Sequence, residues 1–295
     1  MNMEHFPTLT TSLSAWLGTI PMRASRFSLE TPGVHATIPM LRGVWGAALK
    51  HLSNETFVKV FEGGPDRAHA TPGYILRPTI LNKGEETAAE WILFGSAIEH
   101  EQTLLRAWDI ASGMGLGPER KRFFIRKATP LDSFGNPFSK SECFEGFDYQ
   151  TWRLGTAPWP LESDPIASPI RLSFRSPLRL LVKHRQIEEP TIDDIIQSGL
   201  RRISMISENS APQGLITECI NYTKTIYCLP WKGEIINFHR YSARQSKEID
   251  LRGVCGHIDM PQGARLIWPL LSALRWTHIG KATVFGLGQP IITEL

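Results

Sequence analysis

A glycine-rich stretch near the C-terminus constrains the fold of this chain more than any other segment. It runs from His278 to Gln289 and places one lysine and one threonine among its three glycines. An apolar run typical of a helix, residues 266–276, precedes it, and a strand-like tail, residues 290–295, follows it. Glycine permits a positive φ and the close approach of a ligand. A helix–loop–strand unit of this kind therefore suits a phosphate held by backbone N–H groups and a lysine.

The stretch does not have the pattern of a nucleotide-binding P-loop. A P-loop has the sequence G-x-x-x-x-G-K-[ST] and lies between a strand and the helix that follows it. Here the glycines follow a helix, and the spacing differs. Two interpretations remain, a tight structural turn and a loop that holds a phosphate backbone, and the number of glycines beside a lysine favours the second.

Composition excludes several classes of protein. With 295 residues, 42% of them hydrophobic and 21% charged, the chain is typical of a soluble globular protein of one large or two small domains. The net charge of +3 is a weak argument for nucleic-acid binding, so the clustering of basic residues matters more. The four cysteines lack C-x-x-C spacing, which predicts reduced thiols and no zinc site. No signal peptide or membrane-length apolar run is evident, so we expect a cytoplasmic protein without a membrane partner.

The two halves of the chain repeat one order of predicted elements, strand–helix–strand–strand–helix–strand. In the first half these elements are residues 27–30, 41–52, 74–81, 88–94, 97–112 and 121–128. In the second half they are residues 170–182, 191–207, 235–241, 249–258, 265–276 and 282–292. The order predicts an α+β protein with two tandem ferredoxin-like (RRM-like) βαββαβ domains, residues 1–165 and 166–295. Such sheets often bind RNA, although a fold alone establishes no function.

Several short motifs, in order along most of the chain, resemble those of one protein family. They are Leu-Arg-Gly-Val-Trp-Gly-Ala-Ala-Leu-Lys at 41–50 and the segments 74–78, 93–97, 115–122, 174–180, 200–203, 253–256, 266–274 and 280–288. Together they resemble the CRISPR repeat-cleaving endoribonucleases, which form the sixth Cas family within the RAMP superfamily of RNA-binding proteins. Many relatives carry a cysteine cluster after the first helix, whereas residues 53–72 contain no cysteine. The subtype, with the variant of type IV systems among the candidates, is therefore left open.

The resemblance implies cleavage of CRISPR repeat RNA at a hairpin without a metal ion or other cofactor. The ribose 2′-OH beside the scissile phosphate would attack it and leave a 2′,3′-cyclic phosphate and a 5′-OH. This reaction needs a base, an acid and stabilisation of the phosphorane charge. The resemblance also implies that the protein stays bound to the mature crRNA hairpin and associates with other Cas effector subunits.

The family's reactive groups come from the first strand, the next loop and the first helix, which here offer Arg23, His35 and Arg42 as catalytic candidates. His35 suits acid–base chemistry because imidazole titrates near neutral pH. Arg42 suits a bidentate phosphate clamp, and Arg23 suits electrostatic stabilisation, since arginine hardly ever deprotonates. For each residue a purely structural or solvent-exposed role is the alternative, and the choice between a histidine and an arginine mechanism stays open.

Basic and glycine residues elsewhere are candidate contacts to the RNA backbone. In the glycine-rich stretch they are Gly280, Lys281, Thr283, Gly286 and Gly288. The other candidates are Arg120, Arg122, Arg201, Arg202, Arg240 and Arg244. Each charge taken alone suits a solvated surface equally well.

Two other functions compete with the nuclease. A non-catalytic RAMP subunit that binds and caps crRNA would share the sheets and the glycine-rich stretch, but Arg23, His35 and Arg42 would be silent when mutated. A general RNA-binding module would show no preference for a hairpin repeat. Cleavage assays distinguish all three.

Overall fold

The structure is a computed structural model that describes residues 6–64, 71–79, 88–137, 151–182, 185–237, 239–242 and 247–295. The side chains of residues 6–8, 239–242 and 247–250 lie outside that description. None of the helices in the described residues has the length and apolar character needed to cross a membrane.

The chain contains both helices and strands. The helices are α1 (Phe6–Leu17), α2 (Ile38–Leu52), α3 (Asn54–Thr56), α4 (Glu101–Met114), α5 (Ile192–Ile206), α6 (Leu215–Thr223) and α7 (Trp268–Thr277). The strands are β1 (Pro21–Glu30), β2 (Tyr74–Pro78), β3 (Ala88–Phe94), β4 (Phe124–Pro130), β5 (Trp152–Arg153), β6 (Ile170–Leu178), β7 (Leu181–Val182), β8 (Arg185–Gln186), β9 (Lys232–Ile236), β10 (His239–Ser242), β11 (Lys247–Asp250), β12 (Gly253–Met260) and β13 (Pro290–Glu294). A π-helical turn, Phe57–Phe61, follows α3.

The contacts divide the chain into two units. The N-terminal unit contains Pro21–Trp152 and a three-residue segment from far along the chain, Val284–Gly286. The C-terminal unit contains Met1–Ile20, Arg153–Thr283 and Leu287–Leu295. The expected boundary at residue 165 differs from this division, and the first twenty residues belong with the C-terminal unit.

In the N-terminal unit an antiparallel sheet of order β2-β3-β1-β4 supports α2 and α4. This is the strand order that the predicted βαββαβ succession gives when it folds as a ferredoxin-like domain. Helix α2 begins where Thr37 accepts a hydrogen bond from the Met40 N–H at 3.4 Å, and Pro39 lies in the first turn, where its missing N–H costs nothing.

Aromatic side chains form the centre of this unit's core. The indole of Trp45, fully buried on α2, stacks on Trp108 at 5.2 Å between centroids and meets Tyr74 and Trp91 edge-on. Its Nε1 donates to the Leu104 carbonyl at 3.1 Å, so the ring is buried without losing its polar contact. Gly46, next along α2, leaves the space that the Phe61 ring fills.

The C-terminal unit repeats the arrangement with a second antiparallel sheet, of order β13-β6-β12-β9. Helix α5 begins with a reciprocal capping box, in which Thr191 and Asp194 satisfy each other's backbone N–H groups. Asp193 and Asp194 lie in its first turn, as the sequence predicts. The predicted fold, two ferredoxin-like βαββαβ domains, is confirmed.

The limits of several elements differ from those predicted. Strand β1 is much longer than residues 27–30, and the predicted strand 235–241 is divided between β9 and β10. Helix α6 was not predicted. The predicted last strand, 282–292, is a tight turn up to Gln289, because its glycines adopt positive φ angles that a strand cannot use. The predicted hairpin turn at residues 82–85 lies outside the described residues.

Two buried glutamates in the N-terminal unit have pKa values that are shifted in opposite directions. Burial by itself raises the pKa of Glu90, but attraction and hydrogen bonds from Arg77 and Arg26 outweigh it and lower that pKa below 4.5. Glu101 pairs with Arg23 alone, so burial prevails and raises the pKa of Glu101 above 4.5. The charged form is therefore favoured by folding at Glu90 and disfavoured at Glu101.

We expect Glu90→Gln to lower the free energy of unfolding by about 3 kcal/mol at neutral pH, because the buried Arg77 and the half-buried Arg26 would lose their charged partner. A group with a lowered pKa stabilises the fold above its unfolded value, so the deficit should shrink as the pH falls below 4.5. Urea unfolding at several pH values measures it. Glu101→Gln is the matched variant: it should be at least as stable as the wild type at neutral pH, and the wild type should gain on it as the pH falls through the raised pKa towards 4.5, with no further gain below that value. Equal losses in both variants would contradict this assignment.

Two glycines three residues apart on α2 should respond oppositely to alanine. A Cβ on Gly46 would stand 2.3 Å from the nearest atom of the packed Phe61 ring, so Gly46→Ala should cost about 1–3 kcal/mol of stability. A Cβ on exposed Gly43 would meet nothing within 4 Å, so Gly43→Ala should add about 0.5–1 kcal/mol through helix propensity. Thermal unfolding of the two variants checks both signs.

Candidate functional site

His35 lies in the loop between β1 and α2, two residues before the helix cap, and its side chain is exposed. The loop turns at Gly33, whose φ is +65°. A Cβ at Gly33 would stand 3.3 Å from the Lys121 ammonium, so Lys121 packs directly on this loop. The structure thus places an exposed imidazole in a loop that a lysine touches.

The glycine turn after α4 brings further positive charge to the same place. Gly115 and Gly117 have φ angles of +77° and +72°, and a Cβ on Gly117 would lie 3.8 Å from the Met40 side chain in the first turn of α2. Arg120 and Arg122 flank Lys121, and both are exposed. Lys121 itself pairs with the exposed Glu119 at 3.0 Å. The predicted basic turn and the predicted His35 loop therefore adjoin each other.

Arg42 lies in the second turn of α2 with its guanidinium against aromatic rings. Its Cζ is 4.1 Å from the centroid of Phe61 and 4.8 Å from that of Phe285. The buried Nε has no hydrogen-bond partner within the described part of the chain. The cation is held by ring faces rather than by a carboxylate, an attraction of about 0.5–2 kcal/mol.

The third catalytic candidate, Arg23, has a different environment. It pairs with Glu101 at the start of α4, and its Nε donates to the Thr151 hydroxyl at 2.7 Å. Arg23 lies near the start of β1, whereas the His35 loop follows the end of that strand, roughly 20 Å away. This placement argues against a shared catalytic role with His35, since a single phosphate is far smaller than that separation.

The glycines of the C-terminal stretch are explained by close backbone packing. Gly280, Gly286 and Gly288 all have positive φ angles. A Cβ on Gly280 would lie 2.5 Å from the Arg179 carbonyl oxygen, and one on Gly288 would lie 1.9 Å from that of Ile279. The Gly288 N–H donates to the Pro177 carbonyl at 3.1 Å, so it is not available to a phosphate. For Gly288 the tight-turn alternative is therefore favoured over the predicted backbone contact with RNA.

The side chains of this stretch differ in exposure. Lys281 is exposed, while its own N–H donates to the Arg179 carbonyl at 2.9 Å. Thr283 is only 5% exposed, which argues against the predicted contact with RNA. His278 is fully buried, with Nδ1 at 3.1 Å from the Leu287 carbonyl oxygen. Lys281 is thus the side chain of the stretch that is placed to meet a ligand.

The tip of the stretch, Val284–Gly286, belongs to the N-terminal unit. Val284 packs on that unit's core, and Phe285 lies against Arg42. Gly286 passes so close to β2 that a Cβ would stand 2.9 Å from the Arg77 Cα. Sequence reasoning missed the role of Phe285, and the one available signal was a bulky aromatic directly before a glycine.

The other predicted RNA contacts divide into three groups. Arg201 is exposed, as an RNA contact requires. Arg202 is only 7% exposed, and its Nε donates to the Thr277 carbonyl at 3.4 Å, so it joins α5 to α7 instead of reaching the surface. The backbone of Arg240 lies in β10, but its side chain is not described, and Arg244 lies outside the described residues.

Within the described ranges no three His, Cys, Asp or Glu side chains gather as metal ligands would. The described cysteines Cys219, Cys228 and Cys255 are free thiols. Burial raises the pKa of Cys219 to about 12, so this thiol is a poor nucleophile.

Comparison with known proteins supports the interpretation of the sequence. Residues 172–290 match the family model of the CRISPR-associated endoribonuclease Cas6, and residues 35–144 match a model described as an N-terminal domain. A search of curated proteins returns no match.

Solved structures share the fold over nearly the whole chain. The product complex of the Thermus thermophilus Cas6 TTHB231 is 14% identical, with a TM-score of 0.62 over 93% of this chain and 100% of that chain. The product complex of the Cas6 TTHA0078 is 18% identical, with a TM-score of 0.56 over the same shares. A partial Cas6-RT-Cas1–Cas2 complex is 13% identical, with a TM-score of 0.52 over 94% of this chain and 47% of that chain. The match of residues 172–290 to the Cas6 endoribonuclease family model and the fold shared with the solved Cas6 structures confirm the resemblance found in the sequence.

Proposed function

We propose that this protein cleaves CRISPR precursor RNA in its repeat hairpin, without a metal ion, and stays bound to the mature crRNA. The match of residues 172–290 to the Cas6 endoribonuclease family model supports RNA cleavage. The observation that carries the assignment of a site is the exposed His35, which precedes the α2 cap beside the basic turn at Lys121. An acid–base group and positive charge in one place suit phosphodiester chemistry.

In the proposed reaction the 2′-oxygen attacks the adjacent phosphorus as its proton leaves. The bond from phosphorus to the 5′-oxygen breaks, and that oxygen takes up a proton. The products are a 2′,3′-cyclic phosphate and a 5′-OH. The nucleophile belongs to the substrate, so protein side chains need to move protons and stabilise charge.

His35 is the candidate proton carrier, since a histidine can act as base or acid near neutral pH. Arg42 suits charge stabilisation, because a guanidinium in contact with ring faces still has N–H groups that can donate to a phosphate. The buried Nε of Arg42 leaves its two terminal nitrogens as the candidate donors. A mechanism that uses arginine in place of histidine stays an alternative.

Exposed cations are the candidate RNA-holding groups. They are Arg120, Arg122, Arg201 and Lys281. They lie on two units of ferredoxin-like fold, and such sheets read RNA largely through shape and phosphates.

Relatives support the proposed partners. The solved TTHB231 and TTHA0078 structures are Cas6 product complexes, and the third relative is a Cas6-RT-Cas1–Cas2 complex. We accordingly expect repeat RNA and other Cas proteins to be the partners of this chain.

The placement of the arginines is also compatible with a second function. Arg23 is ion-paired, and Arg42 is packed against rings, so both side chains already have structural roles. A non-catalytic subunit that binds and caps crRNA would need no more than that. Such a subunit would bind the hairpin but leave it intact.

We expect the wild type to cut its cognate repeat RNA in EDTA and to leave intact the same RNA with a 2′-deoxyribose at the scissile position. His35→Ala should lower the single-turnover rate by about 10²–10⁴-fold, the usual contribution of a general acid or base. His51→Ala is the matched control, because it removes an exposed histidine from the last turn of α2, the helix that follows the His35 loop, and its rate should be unchanged.

Arg42→Ala and Arg23→Ala complete this series. A loss of rate with Arg42→Ala and none with Arg23→Ala would agree with their placements. If no variant and no wild-type protein cuts RNA that is bound tightly, the capping function replaces the nuclease.

Lys281→Ala should weaken binding of the repeat hairpin and reduce the slope of log K against log salt by about 0.7–0.9, since one phosphate contact is lost. Lys224→Ala, which removes an exposed lysine that is not among the candidate RNA contacts, should leave the slope unchanged. Fluorescence anisotropy over a range of salt concentrations measures both slopes. Identical slopes for the two variants would exclude Lys281 from the interface.

A further inference from the structure

Two phenylalanines of the N-terminal unit are exposed although every other phenylalanine of its described core is buried. Phe124 begins β4 and is 45% exposed, and Phe134 lies in the turn after that strand and is 60% exposed. Among the strands that the structure describes, β4 pairs with β1 alone and ends the strand order β2-β3-β1-β4, so it is an edge strand there. Nothing in the proposed cleavage reaction uses either ring.

Strand register places Phe124 on the sheet face that points away from α2 and α4. The helix-facing side of β1 carries Phe27 and Leu29, which belong to the core. Glu30 alternates with them and pairs across the strands with Phe124, while Ser28 pairs with Lys127. Phe124 and Lys127 therefore share the face opposite the helices, which we call the outer face.

Basic side chains surround Phe124 on this strand. The Arg126 guanidinium lies 5.4 Å from the Phe124 ring centroid. Arg126, Lys127 and Arg122 are all exposed. Glu30 pairs with Arg126, so one of these charges is partly balanced and the others keep the strand positive.

The turn that carries Phe134 adjoins the same face. Arg26, which alternates with Phe27 and therefore points to the outer face, donates to the Gly135 carbonyl at 3.5 Å. Asp132 shapes the turn by accepting from the Phe134 and Asn136 N–H groups at 2.9 and 2.8 Å. Phe124 and Phe134 thus mark the two ends of a strand about 20 Å long.

A single exposed phenylalanine is unremarkable on a protein surface. Two of them, one at the start of an edge strand and one in the turn that follows it, with arginine and lysine between, suit the binding of single-stranded nucleic acid. Bases stack on aromatic rings without regard to sequence, and cations follow the backbone. A protein partner would sooner meet a connected apolar surface, whereas here charged residues separate the rings.

We infer that β4 and its following turn form a stacking platform for unpaired bases of single-stranded RNA, with Phe124 and Phe134 as the stacking rings and Arg126 and Lys127 as backbone contacts. This rests on the proposed function in that RNA is the ligand. It adds a site for unpaired nucleotides, separate from any hairpin contact.

The test is binding of a fluorescein-labelled adenosine dodecamer, which forms no hairpin, measured by anisotropy at low salt on the full chain. Phe124→Ala and Phe124→Leu should weaken binding by about 5- to 100-fold, the measured range for loss of one base–aromatic stack. Phe124→Trp should restore it. Phe124→Leu should leave the salt slope unchanged because it removes no charge, whereas Lys127→Gln should lower that slope by about 0.7.

Met205→Ala is the matched control, since it removes an exposed apolar side chain, 49% exposed, from α5 of the other unit, and it should bind like the wild type. Phe134→Leu provides a second, independent variant if a Phe124 substitution lowers the melting temperature. Wild-type affinity in both leucine variants, or no binding of the dodecamer by the wild type, would overturn the platform. Cleavage of the repeat hairpin is assayed separately, so failure of the nuclease function and failure of the platform give different results.

Discussion

The guanidinium of Arg42 lies against the rings of Phe61 and Phe285, and the packing of the N-terminal unit depends on this contact. It joins three segments of distant sequence: helix α2, the π-helical turn and the tip of the glycine-rich stretch. Ring faces attract a cation without neutralising it. The contact therefore joins these segments and leaves the positive charge of Arg42 available to a phosphate, which an ion pair would have offset.

The glycines of the C-terminal stretch serve this arrangement. A Cβ on Gly288 would overlap the Ile279 carbonyl oxygen, and one on Gly286 would press on the backbone of β2. The backbone has to pass that closely for Phe285 to reach Arg42. The stretch that the sequence predicts to bind a ligand thus mainly allows two backbone segments to pack closely against each other. The exposed Lys281 beside it remains the candidate ligand contact.

The fold could be predicted well because the patterns that indicate helices and strands involve only neighbouring residues. The capping box at Thr191 and the strand 88–94 were both recognisable from adjacent residues alone. The roles of single side chains depend on partners far along the chain. Arg23 forms an ion pair with Glu101, and Arg202 donates a hydrogen bond to the Thr277 carbonyl. The spacing of residues in the sequence predicts neither contact. For the same reason the sequence could propose His35 and Arg42 as a pair but could not place Phe285 against Arg42.

The membership of Val284–Gly286 in the N-terminal unit has a consequence for the order in which the chain folds. Synthesis runs from the N-terminus, so residues 21–152 emerge with the place of Phe285 on Arg42 unfilled. The ring that completes this unit arrives only after more than a hundred further residues have been made. Until then the contact of Phe285 with Arg42 is missing, and the first unit reaches its final stability only when almost the last turn of the protein has been made.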